Sequence, residues 1–159
     1  MPLDVGDEAP GFALPLKPGE APLRLSDYVG ERPVVLLFFP LAFSSACTKE
    51  MRLVAEDYDR WKALDAEVIG ISVDSPFVNQ RFAQEVGAPF PILSDFNREA
   101  TDAYDVRNPD FFGLEGVSNR SAFVVDREGT IRYAWMSEDA SVLPDLEGIR
   151  RTVEALGKA

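Results

Sequence analysis

Apolar and polar positions change period several times along the chain, and each change marks an element. "VVLLFF", Val34 to Phe39, is a continuous apolar run stopped by Pro40, the pattern of a strand buried on both faces of a sheet. Beyond it Met51, Val54, Tyr58 and Trp61 recur at three and four residues, predicting a helix from Thr48 to Ala63; "PLAFSSACTKE" is the turn between. "EVIGISV", Glu67 to Val73, is a second buried strand. Ser75 then caps a helix with Pro76 at its first position and Gly87 past its end. "PFPILSD" gives a third short strand, "REATDAY" a short helix and "DVRNPDFFGLEGVSN" a loop. "RSAFVVD" and "TIRYAWM" flank Arg127, Glu128 and Gly129 and predict an antiparallel hairpin. Leu146, Ile149, Val153 and Leu156 mark an amphipathic closing helix with Asp145 at its positive end.

Near the N-terminus, "FALPL" and "LRLSDY" alternate on either side of "KPGEAP" and predict a hairpin that caps a sheet edge. The order of elements is that expected of an α/β thioredoxin-like sandwich, with a central mixed β-sheet flanked by helices and an N-terminal β-hairpin. No repeat, low-complexity tract or linker divides the chain, so residues 1–159 are expected to form a single domain.

Composition narrows the function more than the fold. With 46% hydrophobic and 27% charged residues the chain reads as an ordinary globular protein. A net charge of −11, without a basic patch, disfavours nucleic acid and anionic membrane surfaces as partners. "MPLDVGDEAP" has neither the basic start nor the apolar run of a signal peptide, which makes the cytoplasm the expected compartment. The single cysteine, Cys47, forms no internal disulfide, and zinc sites built from several Cys and His ligands are excluded. No metal or other cofactor is expected.

A lone cysteine among Ala and Phe is, taken alone, a small buried hydrophobe. Its position suggests chemistry: after a buried strand and at the start of a helix, unpaired N–H groups and the peptide dipoles favour a thiolate. The chain has no histidine, so a Cys/His pair is impossible, and a guanidinium is the remaining strong candidate to stabilise the sulfur. Every other candidate also has an ordinary reading. Pro40 ends a strand, Ser44 or Ser45 caps a helix, Glu50 complements a helix dipole, and Arg120 is a solvated surface cation.

Jointly, Pro40, Ser44, Cys47 and Glu50 resemble the peroxiredoxin signature, in which the serine position is usually threonine. "FFPLAF" resembles the one-cysteine alkyl hydroperoxide reductase E type in particular. The similarity extends from "VGDEAPGFALP" through "ISVDSP" and "PILSDF" to "SNRSAFVVDREGTIRY". It implies a thiol-dependent peroxidase for hydrogen peroxide and organic hydroperoxides. In that reading Cys47 is the peroxidatic nucleophile that becomes a sulfenic acid, and Pro40 shields it. Ser44 hydrogen-bonds the substrate, Arg120 steadies thiolate and peroxide, and Glu50 supports the arginine. With no second cysteine, an external low-molecular-weight thiol or a thioredoxin-like protein must resolve the oxidised sulfur. The family also implies a homodimer, for which Phe111 and Phe112 offer a contact unless they pack in the core. Two alternatives stand beside the enzyme: a redox sensor oxidised once at Cys47, and a structural domain with an inert thiol.

Overall fold

In the computed structural model, which describes residues 3–157, strands β1 (Ala13–Leu14) and β2 (Leu23–Arg24) pair antiparallel as the expected hairpin. Residues 1, 2, 158 and 159 of the expected 1–159 domain lie outside the described residues. The hairpin is short because Pro15, Pro18 and Pro22 remove backbone donors on both arms.

After it come β3 (Val34–Phe38), α1 (Ser45–Glu56), α2 (Tyr58–Ala63), β4 (Glu67–Ser72), α3 (Pro76–Val86), β5 (Ile92–Ser94) and α4 (Glu99–Ala103). Strands β6 (Arg107–Asn108), β7 (Val117–Ser118), β8 (Arg120–Val125) and β9 (Ile131–Ser137) and helix α5 (Leu146–Leu156) complete the order. Five strands form a mixed sheet in the order β5-β4-β3-β8-β9. Strands β3, β4 and β5 run parallel, β8 runs antiparallel to β3, and β9 runs antiparallel to β8. The β5 edge is covered as expected, since the Ser94 N–H donates to the Pro15 carbonyl at 3.0 Å.

The apolar run of β3 divides between two cores because successive side chains point to opposite faces. Val35, Leu37 and Phe39 join Met51 and Val54 of α1, Trp61 of α2, Phe82 of α3 and Ile149 of α5 on one face. Val34, Leu36 and Phe38 join Phe12, Leu14, Leu25 and Tyr104 beneath the hairpin and α4 on the other. Three layers result, with the sheet in the middle and Cys47 in the first of these cores.

Two elements depart from the sequence pattern. The helix expected from Thr48 to Ala63 starts three residues earlier, at Ser45, and is interrupted at Asp57, whose N–H reaches the carbonyls of Leu53 and Val54. Met51, Val54 and Trp61 stay buried across the break, so the apolar spacing carries no trace of it. The loop expected over 105–119 contains the β6–β7 ladder, too short to show an alternating pattern. That ladder is tied down by Arg98, whose Nε donates to the Gly116 carbonyl at 2.9 Å; a Cβ at Gly116 would collide with this arginine.

Candidate active site

The earlier helix start puts Cys47 inside the first turn of α1, at the start of a helix as its sequence position implies. Ser44 is the N-cap residue, in extended conformation (φ −69°, ψ 152°), but its side chain makes no capping bond. Its hydroxyl donates instead to the Leu41 carbonyl at 2.9 Å, leaving its lone pairs as acceptors. Helix geometry gives the first-turn N–H groups, that of Cys47 included, no partner within the helix. Pro40 is buried directly after Phe39, and Cys47 itself has no exposed surface.

Topology brings Arg120 to this point from 73 residues away. Because β8 is antiparallel to β3, with Ser121 opposite Phe38, the start of β8 lies beside the end of β3, where the chain turns toward α1. Ala122 and Val124 belong to the core that holds Cys47, and Arg120 shares their parity and hence their face of the sheet. It is 1% exposed, yet every arm of its guanidinium is engaged. Nη2 donates to Cys47 Sγ at 3.1 Å and to the Ala140 carbonyl at 2.9 Å; Nε donates to the same carbonyl at 3.1 Å; Nη1 donates to Glu50 Oε1 at 2.5 Å.

Glu50 lies in the second turn of α1 and is fully buried, not a surface residue of the first turn. Burial pushes its carboxyl up to about 7, against the opposing charge and hydrogen bond of Arg120. Its Oε2 has no hydrogen-bond partner among the described residues. For Arg120, burial works against the charged form, but Glu50 and Cys47 outweigh it and hold the guanidinium above its ordinary range.

Five residues singled out by the sequence thus fall at one place. Cys47, Arg120 and Glu50 are directly bonded in a chain, and Ser44 and Pro40 belong to the loop leading into the same helix. Missed was the Ala140 carbonyl, which fixes the guanidinium plane from a turn after β9. Asp139 builds that turn by accepting the Ser141 hydroxyl at 2.6 Å and the Ser141 N–H at 2.9 Å, bonds that hold its carboxyl below the usual range. A backbone oxygen leaves no mark on side-chain identity, so no sequence signal could have found it. Phe112, offered as a dimer contact or a core residue, is 91% exposed and does not pack in the core. No helix among the described residues is long and apolar enough to cross a membrane.

A mixed sheet of this order, with one thiol in the first turn of the helix after a central strand, is the thioredoxin-like arrangement expected from the order of elements. Residues 5–134 match the AhpC/TSA family, and the chain belongs to it. It is 36% identical over 142 residues to alkyl hydroperoxide reductase E of Mycobacterium tuberculosis, a match covering 88% of this chain and 90% of that one. It is 32% identical over 165 residues to a chloroplastic 2-cysteine peroxiredoxin of Chattonella marina var. antiqua, covering 98% of this chain and 82% of the relative. The crystal structure of peroxidoxin BcpB from Mycobacterium tuberculosis superposes with a TM-score of 0.82 at 28% identity, covering 95% of this chain and 96% of that one. The protein is therefore a thiol-dependent peroxidase, and its single cysteine fits the one-cysteine mechanism. The sensor alternative is not favoured.

Proposed function

We propose that Cys47 is the peroxidatic nucleophile for hydrogen peroxide and small organic hydroperoxides, with Arg120, Ser44, Pro40 and Glu50 in the roles that the sequence pattern implies. The observation that carries this reading is the 3.1 Å hydrogen bond from Arg120 Nη2 to Cys47 Sγ inside a buried site. A fixed positive charge at that distance, together with the helix N-terminus, offers hydrogen-bond donors to the negative charge that develops on the departing oxygen, without any imidazole. The sulfur attacks one peroxide oxygen along the O–O axis, and that bond breaks. Its electron pair leaves on the distal oxygen, which takes a proton and departs as water or an alcohol. Sulfur is oxidised by two electrons to a sulfenic acid, and the peroxide is reduced.

Arg120 and the Cys47 N–H face the oxygens on which negative charge grows, so their donation strengthens toward the transition state. Ser44, its proton already given to Leu41, accepts the hydroperoxide O–H and orients it. Glu50 and the Ala140 carbonyl keep the guanidinium in plane. Pro40 excludes water from the sulfur. Resolution needs two equivalents of an external thiol. The first displaces water from the sulfenic acid to form a mixed disulfide, and the second releases Cys47.

The same reading takes residues 1–159 as one domain and the protein as a cytoplasmic homodimer. Exposed Phe112 and Phe77 support the dimer, being 91% and 71% exposed. Sedimentation equilibrium tests it, and a monomer at micromolar concentration would contradict it. For the chemistry, mixing reduced protein with one equivalent of hydroperoxide is expected to consume the peroxide and yield a sulfenic acid trappable at Cys47. A Cys47→Ser protein that consumes peroxide equally fast would overturn it.

A further inference from the structure

We propose that Asp74 is a positioning residue for the peroxidase reaction: its carboxylate fastens the loop from Pro40 to Ser44 and so sets where the Ser44 hydroxyl meets the hydroperoxide. The proposal rests on the reading of Ser44 and Cys47 given above. Asp74 lies just past the end of β4, far from the loop in sequence, and does not bond the sulfur. Its Oδ2 accepts the Ala42 N–H at 2.7 Å, a contact spanning 32 residues, and lies 2.8 Å from the Ser72 hydroxyl.

Asp74 is itself braced from several elements. The Ser94 hydroxyl, on β5, donates to its carbonyl at 2.6 Å. Ser72 Oγ also lies 3.1 Å from Oδ1 of Asn79 on α3, and the Asn79 amide donates to the Leu93 carbonyl at 3.0 Å. Ser72 and Asn79 are fully buried. The carboxylate is therefore a fixed anchor at the carboxyl end of the parallel strands, held by polar side chains that each have a partner.

On the loop side, the bond lands one residue from the groups that matter. Leu41 supplies the carbonyl that takes the Ser44 proton, and Ala42 follows it directly. Phe43 is in the left-handed region at φ 70°, a conformation a bulky aromatic side chain adopts only when its surroundings enforce it. Two tethers supply the enforcement: the Asp74 carboxylate at the Ala42 backbone, and the Phe82 ring 5.2 Å from the Phe43 ring. A carboxylate acceptor makes the backbone bond stronger than a neutral one. Without it the Leu41–Ala42 peptide is free to rotate, and the Ser44 hydroxyl loses its aim while Cys47 stays bonded to Arg120.

A double-mutant cycle separates positioning from general damage. Asp74→Ala is expected to lower the second-order rate constant for hydrogen peroxide by about tenfold, the scale of effect that a small misplacement of a reacting group produces. Alkylation of Cys47 by iodoacetamide, which makes no use of Ser44, proceeds at least as fast as in the wild type. In a Ser44→Ala background, Asp74→Ala costs less than about twofold more. Asp74→Asn, which keeps an acceptor oxygen, recovers most of the loss. Asp74→Glu, which keeps the charge but moves the carboxylate by one methylene, shows the same selective loss in smaller measure and serves if the alanine variant does not fold. An Asp74→Ala protein at the wild-type peroxide rate, one whose alkylation slows in parallel, or a full loss repeated in the Ser44→Ala background overturns the tether. A Ser44→Ala protein reacting at the wild-type rate overturns the underlying reading of Ser44 and the tether with it.

Discussion

Cys47 depends on residues that oppose one another. Burial drives Glu50 toward its neutral form, whereas Arg120 needs the carboxylate as a partner, and the carboxyl settles near 7. A carboxyl whose folded-state value is raised binds its proton more tightly folded than unfolded. Stability is therefore full below the unfolded value and falls as pH rises from about 4.5 toward 7. Denaturant melts of the wild type and Glu50→Gln at pH 5 and pH 7.5 are expected to show the wild type losing a few kcal/mol more than the variant. Parallel pH profiles would show that folding does not raise the Glu50 carboxyl above its ordinary value. The sequence marked Glu50 by spacing but gave no hint of its burial, because an acid near a helix N-terminus is equally at home in solvent. Arg120 and Cys47 were legible only as members of a joint pattern, and the contact between them depends on the register of β8 against β3.

Elements with chemical punctuation were legible to the residue. Ser75 accepts the Val78 N–H, Pro76 opens α3, and Gly87 ends it in the left-handed conformation at φ 70° and ψ 32°. Each signal acts locally, so tertiary context did not alter it. Gly87→Ala forces a side chain into that region and is expected to lower stability by about 1 kcal/mol in urea, with the peroxide rate unchanged. A loss well below that would mean the Gly87 backbone relaxes freely. The start of α1 was misplaced for the complementary reason. Ser45 and Ala46 add no large apolar side chain to the spacing that predicts a start at Thr48, yet they are the first two residues of the helix, and Ser44, one of the two serines read as a cap, is its N-cap. The interruption at Asp57 and the β6–β7 ladder were invisible because both preserve the surrounding apolar spacing and are decided by backbone bonds.

At the scale of the molecule, the fold gathers at one end of its sheet the groups that a lone thiol needs. The carboxyl ends of β3 and β4, the start of β8 and the turn after β9 together supply the helix N-terminus, the Asp74 anchor, the guanidinium and the Ala140 carbonyl. Continuous apolar runs made the central strands readable as buried on both faces, and β3 accordingly sends odd and even residues to separate clusters. The convergence was not readable from pattern alone, because it depends on strand order. With one cysteine and no histidine in the chain, the proposed mechanism rests on the groups at this end of the sheet. The most direct test is rapid mixing of the reduced protein with hydrogen peroxide at neutral pH, wild type beside Arg120→Met, with sulfenic acid formation at Cys47 as the readout. The account predicts wild-type oxidation far faster than that of free cysteine, and a loss of about 10²–10³-fold in the variant, the scale seen when a preorganised donor is removed. Equal rates in the two proteins, or a wild type no faster than free cysteine, would contradict it.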